Sequence, residues 1–390
     1  MKHLLLFLFL IFAVCVNAFS ADYGFLLSGH CTAEENIYGR ASFSSWCSIP
    51  FDNSDFFISA GLNTDFSDEV SFIPELIRME YSTRLFNSVS IRAGRIPWMD
   101  TSRFTAKGRF DGAEILFDYN KIRFGASCFY TGLLYKETAN INNSKSISEN
   151  ESAFDWSDFS NTYFAPKRLL TSIYGEFPGF PFQRGNFYAG LLAHFDLDNS
   201  EYFSTQYLLL RYTFTYKQFD FLAAGAAELE STNSNGIRPA FAYSLETGMQ
   251  LPTPIRDRVS LGFRWSSGEG QYTAAFYPII SEAQGIVLKP GFSGMMIINA
   301  NYEARIHSSF SSEIGARYFI RTDSSSFIDN ELENDFYSIG AEVHGQLLWV
   351  PVSDLFMSLT GGIFLPQTGR AMHSDAKPRL FLRVGTLLSF

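Results

Sequence analysis

The chain has 390 residues, with 40 acidic against 30 basic side chains and a formal charge of −10. That balance argues against nucleic-acid binding, which needs lysine and arginine massed on one face. Aromatic residues make up 17% of the chain, 41 of them Phe, a share that suits strands carrying aromatic belts at a bilayer interface.

Met1, Lys2 and His3 precede an apolar run from Leu4 to Val16, and small residues follow at Ala18, Ser20 and Ala21. This is the layout of a secretory signal peptide, expected to be cleaved after Ala18. The run of 13 residues is short of the ~20 a spanning helix needs. Cys15 would fit lipoprotein processing only behind a small residue, and Val14 stands there. Residues 1–18 are therefore read as leader and 19–390 as one domain. Because no later segment is a long uncharged apolar run, any membrane crossing by the mature chain must use strands in a closed barrel. Cys31, Cys47 and Cys128 remain, an odd number without metal-ligand spacing. Cys31 falls near the loop of the first hairpin and Cys47 near its other end, so no bond between them is expected.

Alternation bounded by turn residues predicts eighteen strands, with sixteen as the alternative count. In chain order the first nine run Asp22 to Cys31, Ile37 to Ile49, Asp55 to Phe66, Pro74 to Leu85, Ser88 to Trp98, Arg109 to Tyr119, Lys121 to Leu134, Leu169 to Phe177 and Asn186 to Asp196. The rest run Gln206 to Tyr216, Gln218 to Leu229, Pro239 to Leu251, Asp257 to Gly268, Ser293 to Ile306, Ser309 to Arg321, Phe336 to Val350, Asp354 to Leu365 and Arg379 to Phe390.

The faces of these strands separate a membrane barrel from a soluble sandwich, whose outer face is normally charged. In the fourteenth, Met296, Ile298, Ala300, Tyr302, Ala304 and Ile306 stand against Ile297, Asn299, Asn301, Glu303 and Arg305. The fifteenth sets Phe310, Ser312, Ile314, Ala316, Tyr318 and Ile320 against Ser311, Glu313, Gly315, Arg317, Phe319 and Arg321. The sixteenth sets Tyr337, Ile339, Ala341, Val343, Gly345, Leu347 and Trp349 against Ser338, Gly340, Glu342, His344 and Gln346. Charge stays on one side each time, and aromatics such as Tyr216, Trp265 and Trp349 end the apolar faces, where a bilayer interface would place them.

Connections after odd strands are long and those after even strands are tight, which puts long loops on one rim and short periplasmic turns on the other. The longest, Tyr135 to Arg168, is rich in Asn and Ser with scattered acids. It is either a surface loop or one folded inward to narrow a pore, and its polar composition favours the surface.

No catalytic motif is present, and His30, His194, His307, His344 and His373 are dispersed, so neither an enzyme nor a cofactor or metal site is read here. The informative set is the arginines on inward parity: Arg78, Arg92, Arg123, Arg211, Arg258, Arg264, Arg305, Arg317, Arg321 and Arg383. Either they pair with inward acids such as Glu80, Glu114, Asp118, Glu313 and Glu342 and brace the wall, or some stay unpaired and select anions at a constriction. Both can hold in different layers of one barrel.

The last strand, ending at Phe390, resembles the assembly signature of bacterial outer-membrane barrels. Val89-Ser90-Ile91-Arg92-Ala93-Gly94-Arg95, followed after a polar loop by Arg109-Phe110-Asp111-Gly112-Ala113, resembles a hairpin of alginate-export-type porins. The run Leu348 to Asp354, through Phe364-Leu365-Pro366 to Phe390, is similar to spirochaete outer-membrane proteins. The exporter resemblance implies an eighteen-stranded barrel with an arginine-rich lumen. Its polysaccharide substrate is not carried over, because many inward acids here depart from a strongly cationic pore.

The reading is an all-β transmembrane up-and-down barrel in the outer membrane of a double-membraned bacterium, acting as a porin for small polar solutes with a lean to anions. Residues expected to line its pore are Arg78, Arg92, Arg123, Arg211, Arg264, Arg305, Arg317, Arg383, Glu114 and Glu313, with Phe390 as assembly signal. Implied partners are the lipid bilayer, the outer-membrane assembly machinery and the solutes, with homo-oligomerisation left open. The rival reading is a barrel-anchored adhesin that binds through acidic loops.

Overall fold

The computed structural model describes residues 21–390 apart from 35, 67–69, 87, 143–153, 199–202, 234–235, 324–336 and 369. The expected leader and its cleavage point lie outside the described residues.

Eighteen strands form one antiparallel sheet. They are β1 (Asp22–Ala33), β2 (Ile37–Phe51), β3 (Ser54–Phe66), β4 (Val70–Leu85), β5 (Val89–Met99), β6 (Lys107–Tyr119), β7 (Ile122–Tyr130), β8 (Arg168–Pro178) and β9 (Gly185–Asp196). Then come β10 (Phe203–Tyr216), β11 (Phe219–Thr232), β12 (Gly236–Gln250), β13 (Arg258–Ser266), β14 (Met295–His307), β15 (Phe310–Arg321), β16 (Ser338–Val352), β17 (Leu355–Pro366) and β18 (Arg379–Ser389). Each pairs with its sequence neighbours, and β1 pairs with β18 from Leu26↔Ser389 to Ala33↔Leu382. Phe25 and Phe390 exchange backbone hydrogen bonds of 3.1 and 2.9 Å at the end of that seam. Closure of the β1–β18 seam leaves neither terminal strand with a free edge, which a sheet in hydrocarbon requires.

The two faces differ as the alternation requires. Ile298, Ile314, Val343 and Leu382 are exposed on the outside, whereas Ile297, Glu342 and Phe381 are buried on the inside. A closed barrel exposing apolar side chains all round is suited to lipid rather than water. Tight turns lie on one rim, with Asn120 and Lys217 in the left-handed region, and long connections lie on the other. Cys31 pairs with Gly39 and Cys47 with Tyr23, at opposite ends of the β1–β2 ladder, and all three described cysteines are free.

One face assignment needs correction. The β15–β16 register shifts between Phe319 and Ile320, where Gly340 has φ +152. This bulge reverses the alternation, so Ile339 joins the interior cluster instead of the outer face. Ser338, expected inside, bonds Tyr318 Oη at 2.5 Å.

The β4–β5 pairing is also interrupted. It covers only Met79–Leu85 with Val89–Arg95, although β4 begins at Val70 and β5 runs on to Met99. At Gly94, with φ +114, a side chain would run into the Met79 carbonyl. Beyond it β5 turns inward, so that Ile96 and Trp98 join Phe110 and Phe129 in the interior cluster. The first half of β4 thereby becomes an edge, and it carries Pro74, which has no N–H to leave unpaired. Its carbonyls are used by other partners: Arg95 Nη1 bonds Leu76 O at 2.7 Å, and Tyr163 Oη bonds Pro74 O at 2.8 Å.

The described parts of the β7–β8 connection fill this gap from inside. Arg95 Nη2 bonds Leu133 O at 2.9 Å, Thr138 Oγ1 bonds Glu75 Oε1 at 2.8 Å, and Tyr135 and Tyr163 pack on Ile73. Residues 135–142 and 162–165 therefore pack against the wall instead of lying on the surface as expected, while 155–158 and 160–161 are exposed. The aromatics of this connection, Phe154, Phe159, Tyr163 and Phe164, pack on one another and anchor it to the wall. β7 correspondingly ends at Tyr130 rather than at Leu134.

Candidate functional site in the lumen

The β13–β14 connection, 267–294, crosses the barrel. Tyr277 N donates to Glu228 on β11 at 2.9 Å, and Tyr207 on β10 donates to Tyr277 O at 2.6 Å. Further along, Ile279 N bonds Thr105 O at 2.8 Å, Glu342 on β16 accepts from Ile286, Val287 and Leu288, and Lys289 lies over the Phe381 ring on β18. Lys289 also pairs with Glu34 beyond β1. Ala274, Phe276, Ile279, Leu288 and Phe292 of this segment pack with inward side chains of both walls, including Phe110, Tyr207, Leu209, Ile297, Phe319 and Phe364. The hydrophobic core thus lies inside the barrel, built from inward strand residues and from apolar side chains of this connection.

The β5–β6 turn, 100–106, is built around one carboxylate. Asp100, buried, accepts from the backbone of Ser102 (2.6 Å), Arg103 (3.0 Å), Thr105 (3.0 Å) and Ala106 (2.6 Å), and from Ser102 Oγ (2.5 Å). Burial pushes its pKa up, against the pull of these donors. The turn holds Arg103 at φ +70 and sets Thr101 against Gly190 of β9. Arg103 lies within electrostatic reach of Arg211 on β10, which is buried with Nε unbonded and its guanidinium 5.2 Å from the Tyr188 ring centre. Neither arginine has a carboxylate ion-pair partner among the described residues.

These inner segments divide the lumen. Toward the short turns lies a cavity of about 890 Å³ whose lining includes Asp55, Arg92, Glu114, Arg123, Tyr174 and Glu176. A smaller one of about 310 Å³ includes Arg258, Glu303, Arg305 and Glu313. Toward the long connections, a cavity of about 960 Å³ is bounded by Glu34, Tyr38, His373 and Asp375.

Half of the ten arginines on inward parity have carboxylate partners. Arg78 pairs with Glu80 at 2.7 Å, Arg92 with Glu114 at 2.5 Å, Arg123 with Asp118 at 2.7 Å and Arg317 with Glu342 at 3.1 Å. Arg258 is ringed by Asp220, Glu246 and Glu303 at 2.6, 3.1 and 3.7 Å. Glu114 also accepts from Tyr174 at 2.9 Å, and Glu313 lies 3.8 Å from His344. Arg321 is buried near the opposite rim. Arg264 bonds Gln284 of the inner segment at 2.8 Å, Arg305 the Ser308 carbonyl at 2.8 Å, and Arg383 the Thr32 hydroxyl at 3.1 Å. These three join Arg211 and Arg103 as cations without a carboxylate ion pair among the described residues.

Parity counting missed Arg95. Its bidentate pair with Asp111, at 2.7 and 2.8 Å, ties the bent hairpin together. These residues belong to the Gly-Arg and Phe-Asp-Gly elements singled out in the sequence, which carried the signal.

A closed, lipid-suited barrel of eighteen antiparallel strands with its charges inside has the architecture of outer-membrane porins. Solved structures share it. Pseudomonas aeruginosa OccK2 (OpdF) in complex with glucuronate superposes with a TM-score of 0.63 at 10% identity, covering 95% of this chain and 98% of that one. OccK11 (OpdR) of the same organism gives 0.61 at 9%, covering 95% and 96%. Its OprD gives 0.61 at 11%, covering 95% of each. No family model matches the sequence, and no curated protein does. At these identities the likeness is one of fold.

Proposed function

We propose that the protein is an outer-membrane channel for small polar solutes with a preference for anions, lined by Arg78, Arg92, Arg123, Arg211, Arg264, Arg305, Arg317, Arg383, Glu114 and Glu313. The observation that carries the anion preference is the buried Arg211, with Nε unbonded and its guanidinium over the Tyr188 ring, which has Arg103 and Glu176 within electrostatic reach and, like Arg103, no carboxylate ion pair among the described residues. Paired arginines contribute little net field, whereas unpaired guanidinium groups in a narrow, poorly solvated passage lower the barrier for anions. The structures with OccK2 (OpdF) and OpdK hold glucuronate and vanillate, both carboxylates, which supports the same reading. The hairpin resemblance to alginate-export-type porins agrees with this strand number without extending to their substrate.

The adhesin reading remains the alternative: it draws on the exposed Asp155 and Asp158 and on the segment that crosses the lumen, whereas three other acids of the connections are held by cations of the barrel. Glu137 pairs with Arg40, Glu282 with Lys107 and Glu34 with Lys289.

Reversal potentials under a KCl gradient test the proposal. Chloride preference is expected at low salt, fading as the Debye length shrinks below about 10 Å. Arg103→Gln with Arg211→Gln should abolish it, while Arg92→Gln with Arg317→Gln should lower stability and leave it nearly unchanged. A cation-selective wild type refutes the anion preference.

A further inference from the structure

Glu342 lies on the inward face of β16 and is completely buried. Its Oε1 accepts from Ile286 N at 2.9 Å and Arg317 Nη1 at 3.1 Å, and its Oε2 from Val287 N at 2.9 Å and Leu288 N at 3.0 Å. Three consecutive backbone donors of an irregular segment thus converge on one wall carboxylate, with Arg317 compensating its charge. Without that carboxylate these amides have no ladder partner, and buried donors left unmet are costly.

The local chain is shaped for this contact. Gly285 lets the backbone approach, since a Cβ there would collide with Leu288 O and come within 2.7 Å of Glu342 Oε2. Gln284 N closes the turn on Pro290 O at 3.0 Å, and its side chain takes the bond from Arg264 at 2.8 Å. Val287 then rests on Gly362 of β17, where an added Cβ would meet its Cγ2 at 2.8 Å.

We propose that Glu342 is a positioning residue that fastens turn 284–290 to the wall and thereby sets the bore of the channel. The fastening stands on geometry alone, while its effect on the bore rests on the channel reading above. Removing the carboxylate frees the turn from β16, widening the passage, without breaking any strand pairing.

The test uses full-length protein in lipid, with heat-modifiable gel mobility to establish that each variant is folded. Glu342→Ala should speed hydrogen exchange at Ile286, Val287 and Leu288 by at least about tenfold, the factor for one lost charge-assisted hydrogen bond, with strand amides unchanged. Single-channel conductance should rise with it. Adding Val287→Cys and Gly362→Cys to this variant should return both readings toward wild type on oxidation and release them on reduction. Folded Glu342→Ala with unchanged exchange at the three amides overturns the fastening, as does acceleration spread evenly over the strands. Faster local exchange at unchanged conductance overturns the role in setting the bore. A wild type that carries no current overturns the channel reading instead, and exchange then decides the fastening alone.

Discussion

Arginine placed at Ala316 tests the assignment of the outer face. β15 has 12 residues, which at about 3.4 Å each and a tilt of about 40° span roughly 30 Å along the membrane normal. Ala316, six residues beyond Phe310 and exposed on the outside, sits near the middle of that span. A guanidinium there must leave water for hydrocarbon or drag water in, at a cost of about 2–4 kcal/mol. Ala300 pairs directly with Ala316, so Arg at both positions should cost more than the sum of the single changes, through like-charge repulsion. The control is Gln346→Arg on the inner face, opposite Glu313, where the change should stay within about 1 kcal/mol. Gly315, although inward, is unsuitable, because a side chain there would run into Asn301 and His344. Urea titrations in lipid vesicles, followed by tryptophan fluorescence, give the comparison. Equal losses at Ala316 and Gln346 refute the argument.

Two further outcomes follow from the wall itself. Gly94→Val should cost at least about 1–3 kcal/mol, since it imposes a positive φ on a branched side chain and drives it into the Met79 carbonyl; thermal unfolding in detergent would measure it, and an unchanged midpoint would refute the bend. Deleting Phe390 removes the backbone bonds to Phe25 and should sharply reduce the protein in the outer-membrane fraction while export across the inner membrane continues; unchanged abundance there would refute the seam argument.

The wall was legible in the sequence because one rule, a period of two, governs every strand. It failed at Ile339 and Arg95, where glycines at positive φ change the local path of the strand. No alternation count registers such a change. Arg92 and Glu114 lie directly opposite in register, so their pairing follows from hairpin geometry that the turn lengths fix. The lumen was less legible, because the alternation of the strands does not say whether a connection lies inside the barrel or outside it. Phe276, Ile279, Val287 and Leu288 were the available signal, since a connection left in water gains nothing from so many apolar side chains. In the β7–β8 connection the polar composition outweighed its aromatics in the reading, and the aromatics decided the packing. Arg103 comes within electrostatic reach of Arg211 only because a turn fastened by Asp100 lies against β9, a proximity that sequence spacing does not encode.

Single-channel recording of the purified, folded protein in planar bilayers tests the central claim most directly. An open channel gives discrete ohmic steps whose reversal potential favours chloride at low salt. Folded protein that inserts yet stays electrically silent would contradict it and leave the barrel an anchor.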